Sequence, residues 1–219
     1  MMALLAKDLT TEWRTREIFS SMFVFVVLVL VVFNFALGAN PERMRQIAPG
    51  VLWVALLFAM VLGLQRAVQM ESEEDTLQGV LLALGDRSAL LLAKMMANMV
   101  YLAVIVVCAL PLCSIWFQLD VLTGLAALSL VLFLGVVGFS VLGTLFAMIT
   151  VNIRAREVML PLLFLPLSVP LTIAGVYATT DVVAGQRLAD ITDYLTLMGV
   201  YDIVFLVVAI LVFDYVVEE

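Results

Sequence analysis

Four carboxylates crowd a short stretch of this chain: Glu71, Glu73, Glu74 and Asp75, followed by Thr76, Leu77 and Gln78. Leu77, Val80, Leu81 and Leu84 then recur at i, i+3, i+4 and i+7, the spacing of one apolar helix face. Gly85-Asp86 breaks the pattern. An acidic helix end running into an amphipathic helix suits docking of another protein, and Arg66 begins that element. A solvated acidic loop is the plainer reading. The connection from Gln65 to Lys94 is much longer than a turn requires, which favours docking.

Other polar residues are few. Arg43 and Arg45 precede Pro49-Gly50, which is expected to open a helix; their guanidinium forks suit planar carboxylates on a ligand or partner, and anchoring at headgroup level is the simpler role. Asp202 is the one ionisable residue well inside an apolar stretch, and Tyr194 and Tyr201 beside it suggest an interfacial position. Pro161, Pro166 and Pro170 share one stretch, each able to kink a helix by removing a backbone donor. Broken helices at membrane depth often line cavities, although spans also tolerate proline. Ser140, Gly143, Thr144 and Ala147 form one small face, fit for close helix packing or for a subunit interface. The chain has no histidine, which removes the commonest general base and imidazole ligation of haem iron. No Gly-rich phosphate loop or Gly-x-Ser-x-Gly is present either. The polypeptide is not expected to be an enzyme by itself, and no metal site is expected.

The elements that must position these residues are membrane spans. The chain is 65% hydrophobic and 13% charged, with a mean hydropathy of +1.19. A soluble domain is nearer half apolar and one quarter charged. Apolar runs over 18–37, 47–64, 95–117, 121–150, 158–180 and 194–213 each match the roughly 20 residues that cross a bilayer as a helix. Six such spans use nearly all of the 219 residues, so one all-α membrane domain over 1–219 is expected. The net charge of −7 carries little information about partners, because topology follows the placement of Lys and Arg.

Lys7, Arg14, Arg16, Arg66, Arg87, Lys94, Arg154 and Arg156 fall on one side of such a bundle, and Arg43, Arg45 and Arg187 on the other. That imbalance predicts cytoplasmic termini. Leu5, Leu9 and Trp13 form one stripe of an amphipathic N-terminal helix on the inner surface, with Glu12 and Arg16 at the spacing of a favourable ion pair. The first run is longer than a signal peptide's core and is expected to stay as a span. Cys108 and Cys113 lie in one helix at a spacing unsuited to a disulfide and read as small hydrophobes.

Read together, these segments resemble the CcmB family, the membrane subunit of the cytochrome c maturation ABC transporter. IAPGVLWVALLFAMVLGLQR (Ile47 to Arg66) is similar to the family's second span, and EEDTLQGVLLALGDRSALLLAKMMAN to its cytoplasmic connection and third span. LPLLFLPLSVPLTI (Leu160 to Ile173) resembles its proline-rich fifth span and YDIVFLVVAILVF (Tyr201 to Phe213) its last. Gln65 stands where an acidic residue often precedes Arg66, Asp75 where glycine is frequent, and Gly85-Asp86 replaces a proline-containing turn.

The resemblance implies a six-helix permease of the ABC-2 exporter kind, with an N-terminal amphipathic helix and a cytoplasmic coupling helix between spans 2 and 3. It implies location in the bacterial inner membrane and pairing as a homodimer with a CcmA-like ATPase that binds Mg-ATP. A CcmC-like haem-handling membrane protein, a small CcmD-like partner and a CcmE-like periplasmic haem chaperone complete the implied complex. Haem is then a transported or handled ligand rather than a covalently bound cofactor, and no nucleic acid is involved. Whether haem crosses this subunit or ATP work releases loaded chaperone stays open. An exporter subunit for another amphiphile, such as a lipid or drug, and a non-transporting assembly scaffold are the alternatives.

Overall fold

The computed structural model describes residues 2–38, 40–73, 87–119, 121, 124–150 and 155–216. The described residues form seven helices: α1 (Met2–Thr15), α2 (Glu17–Leu37), α3 (Pro41–Glu73), α4 (Arg87–Phe117), α5 (Leu125–Thr150), α6 (Arg156–Val183) and α7 (Thr192–Val216). Six of them, α2 to α7, are long and apolar enough to cross a membrane. An even number of spans brings both termini to the same side. α3 and α5 are the two most enclosed helices. α3 packs on α2, α4, α5 and α6, and α5 also packs on α4, α6 and α7.

Because lipid is as apolar as leucine, shape rather than hydrophobicity sorts the faces of each helix. On α2, Ile18, Met22, Val26 and Leu30 point inward at every fourth residue, while Val24, Leu28 and Val32 point outward. On α7 the inward stripe is Met198, Tyr201, Asp202 and Ala209, and the outward one includes Val200, Ile203, Val207 and Ile210. The two stripes on α2 are equally apolar, so sequence alone does not tell inside from outside there.

The small face of α5 is spent inside the protomer. Ser140, Gly143 and Thr144 are buried. A Cβ on Gly143 would press on the side chains of Leu64 and Met60 from α3. Thr144 Oγ1 donates to the Ser140 carbonyl at 2.7 Å and accepts from Asn98 Nδ2 of α4 at 2.9 Å. The helix-packing reading of this face therefore holds, and the subunit-interface alternative is set aside because neighbouring helices of the same chain occupy it.

Two elements begin differently from expectation. α3 starts at Pro41 rather than at Pro49-Gly50. Asn40 caps it, its Oδ1 accepting from the Arg43 amide at 3.2 Å, and Pro41 takes the first helical position, where a missing N–H costs nothing. Pro49 is accommodated within the helix. At the other membrane face, Glu12 makes no ion pair with Arg16. Its carboxylate turns to the start of α2 and accepts from the amides of Phe19, at 2.7 Å, and Ile18, at 3.3 Å. Arg16 takes a left-handed backbone (φ 56°) that makes the sharp corner between α1 and α2. Free amides at a helix start are a stronger call on a carboxylate than an exposed arginine. Of the expected α1 stripe, Leu9 is half-buried, and the side chains of Leu5 and Trp13 lie outside the described residues.

Candidate functional site

Polar groups lie at three levels of the bundle, the first of them at its exposed end. At the end where α3 finishes and α6 starts, Gln65 Nε2 donates to the Glu157 carbonyl at 2.9 Å. That carbonyl is the one Pro161, four residues on, deprives of its helical donor. Gln69 Nε2 donates to Glu157 Oε1, and Arg66 Nη1 donates to Gln69 Oε1, both at 3.4 Å. Arg66 is thus braced at the root of the expected coupling element, and α3 is tied to α6 just below its prolines. The departure from the family pattern at Gln65 has a direct use here, since a carboxylate could not donate.

The acidic cluster itself divides. Glu71 and Glu73 belong to the last turns of α3, a direct continuation of the second span, so the first part of the element is not a separate helix. Glu74, Asp75, Thr76, Leu77 and Gln78 lie outside the described residues.

Nearer the opposite end sits Trp53, fully buried. A Cβ on either Gly135 of α5 or Gly175 of α6 would clash with its indole ring. The two glycines therefore form a slot. Trp53 Nε1 donates to Thr179 Oγ1 at 2.9 Å, and Phe139 meets the indole edge-on with centroids 5.9 Å apart. This joint fixes α3, α5 and α6 together. The residue pattern gave no hint of it beyond the presence of glycines in two spans.

Arg43 and Arg45 lie on the first two turns of α3 rather than in a loop, both exposed, with buried Met44 between them. Residues two apart on a helix diverge by about 200°. The pair cannot close on one carboxylate together. Tyr177 of α6 and Tyr194 of α7 stack with centroids 5.9 Å apart, as an interfacial aromatic pair would.

The third level is mid-bundle, where Asp202 corrects its expected interfacial place. It lies ten residues into α7 from Thr192, about 15 Å along the axis. It is 6% exposed, and neither carboxylate oxygen has a hydrogen-bond partner among the described residues. Gly138, near the middle of α5, and Leu171, near the middle of α6, close over it. Tyr201 is likewise internal, its hydroxyl donating to the Leu167 carbonyl at 2.9 Å. Asp202 and the two arginines are therefore not brought together. Pro166 and Pro170 face outward and exposed, so they do not line an internal cavity in this bundle; Pro161 is half-buried.

A bundle of six helices long and apolar enough to cross a membrane, tied to one another by polar groups, defines a polytopic membrane protein. The family described as CcmB protein matches residues 1–218. Heme exporter protein B of Rhodobacter capsulatus is 33% identical over 175 residues, 80% of each chain. The protein of the same name from Pseudomonas aeruginosa is 29% identical over 172 residues, 78% of this chain and 77% of that one. The Escherichia coli K12 protein, also heme exporter protein B, is 30% identical over 176 residues, 80% of this chain and 78% of that one. The chain belongs to the CcmB family.

Proposed function

We propose that this chain is the membrane subunit of an ABC transporter of c-type cytochrome biogenesis, working on haem or on its loaded chaperone. Membership of the CcmB family and relatives named heme exporter protein B support the haem link. The observation that carries the mechanical part is the tie between Gln65 and the Glu157 carbonyl. A CcmA-like ATPase, holding Mg-ATP, docks on the acidic element that begins at Arg66 and runs through Glu71, Glu73, Glu74 and Asp75. Its movement reaches α6 through α3, since the two helices are bonded at that end and wedged by Trp53 at the other. Energy comes from the ATPase, and this subunit converts it into helix movement.

The protein sits in the bacterial inner membrane with cytoplasmic termini, an orientation supported by the excess of Lys and Arg on that side. Two copies pair over two ATPase subunits. The outer face of α2, with Val24, Leu28, Val32 and Phe35 exposed, is a contact surface between copies, together with α6. CcmC-like, CcmD-like and CcmE-like proteins complete the assembly, and haem is its substrate.

Co-purification tests this reading. Tagged protein extracted from native membranes brings down an ATPase subunit and haem-handling companions. Recovery of an ATPase without those companions points instead to an exporter of another amphiphile. Recovery of neither leaves an assembly scaffold and overturns the proposal.

A further inference from the structure

Asp202 has no role in the docking reading, yet its surroundings are specific. The carboxylate lies mid-span, 6% exposed, with neither oxygen partnered among the described residues. Gly138 leaves the room it fills: a Cβ there would strike Asp202 Oδ1 and Leu171. The helices packed on α7 are α4, α5 and α6. α5 carries no charged residue. α6 has Arg156 and Glu157 at one end and Asp181 at the other. α4 has Arg87 and Lys94 near its start and Tyr101 further on. The start of α4 packs level with Ala209, about 10 Å along α7 from Asp202. On α7 itself, Asp193 and Asp214 lie towards the ends, and the Tyr201 hydroxyl donates its hydrogen bond to the Leu167 carbonyl. Ser140 is also unpartnered, but two residues beyond Gly138 is about 200° around α5, away from Asp202.

A lone charge in such a place is strongly disfavoured. A bare metal cation needs a cage of several oxygens. Among the described residues, no group of three or more His, Cys, Asp or Glu is placed to supply one. A single proton needs no cage.

We propose that Asp202 is a one-proton site at the middle of the membrane. Its carboxylic acid keeps the proton while α5, α6 and α7 are closed over it. When the seam parts and water enters, the O–H bond breaks, water takes the proton, and a hydrated carboxylate remains. The release step rests on the ATP-driven reading above; the resting proton does not.

Infrared spectroscopy of the purified chain in lipid, without nucleotide, tests the resting proton. At neutral pH the difference between wild type and Asp202→Asn shows the C=O stretch of a protonated acid. Should the variant fail to accumulate, carbon-13 aspartate labelling of the wild type shifts the same band. Carboxylate bands in its place, or bands that respond to sodium, overturn the site. Release is tested on the assembled complex. Closure holds the proton and opening frees it, so higher pH favours the open form, by up to about tenfold per pH unit for one proton. The ATPase pH profile of Asp202→Asn is therefore flatter than that of wild type. Superimposable profiles overturn release. A chain that binds no ATPase at all defeats the transporter reading, and the infrared result alone then decides the site.

Discussion

The indole of Trp53 occupies the space that a side chain on Gly175 would need. The two residues belong to helices far apart in sequence, α3 and α6. Gly135 closes the slot from α5. Small residues in membrane helices are usually explained by backbone approach; here they receive a single large side chain.

Gly175→Ala or Gly135→Ala is expected to destabilise the protein by about 1–3 kcal/mol through overpacking. Gly199→Ala is the control, because a Cβ at residue 199 meets nothing within 4 Å. Thermal unfolding in detergent should separate them, with a clear loss for the first two and none for the third. Equal melting temperatures would contradict the slot.

Gln65→Ala removes the donor to the Glu157 carbonyl. A loss of about 0.5–1.5 kcal/mol is expected. The loss should shrink in a Pro161→Ala background, where the helix regains its own N–H for that carbonyl. A double-mutant cycle measures this coupling. Strict additivity would show that the bond is incidental.

Glu12→Ala uncaps α2. About 0.5–2 kcal/mol of stability should go with it, whereas Arg16→Ala should not reproduce that loss by breaking a pair. If both variants weaken the protein alike and salt screens the effect, an ion pair rather than the amide cap held the corner.

Arg43→Gln with Arg45→Gln tests whether these side chains recognise carboxylates on a ligand or partner, as their sequence suggests. Basic residues at a helix start oppose the helix dipole, so stability should stay level or rise by a few tenths of a kcal/mol. Loss of cytochrome c maturation at normal abundance would assign them to recognition. Unchanged maturation would leave them as headgroup anchors. Because they diverge on α3, each single variant is expected to act independently of the other.

Reversing Glu73, Glu74 and Asp75 to Lys should weaken association with the ATPase or uncouple hydrolysis from maturation, while the chain still inserts. Pull-down and ATPase assays on the complex read both. Undiminished binding and coupling would remove the acidic element from the docking surface.

The bundle was legible because the bilayer dictates length: each of the six apolar runs lies in a helix long and apolar enough to cross a membrane. Its boundaries were legible where charge ended them, as at Glu17 and Glu157, and less so at α3, where Asn40-Pro41 was the true start and Pro49-Gly50 only looked like one. The internal joints were harder. Proline 161 announces a freed carbonyl at residue 157, so a donor could have been sought, but which helix supplies it depends on packing. Glu12 had two credible partners, and spacing favoured the wrong one. Asp202 was visible as an oddity, while its depth depended on where α7 begins. The slot for Trp53 could not be read at all, because glycines in spans look alike until a neighbour is placed against them.

The unbroken run of α3 gives the molecule a beam. Its 33 residues extend about 50 Å, well beyond the roughly 30 Å of hydrocarbon. Trp53 is wedged off-centre along it, with about 30 Å of helix on the Glu73 side and about 18 Å on the Pro41 side. Held there, α3 is a lever with unequal arms. A swing of about 5 Å at Glu73, where an ATPase would push, becomes about 2 Å, in the opposite direction, where Arg43 and Arg45 stand. Mechanical advantage, rather than any chemistry of its own, is what this subunit would bring to the far side of the membrane.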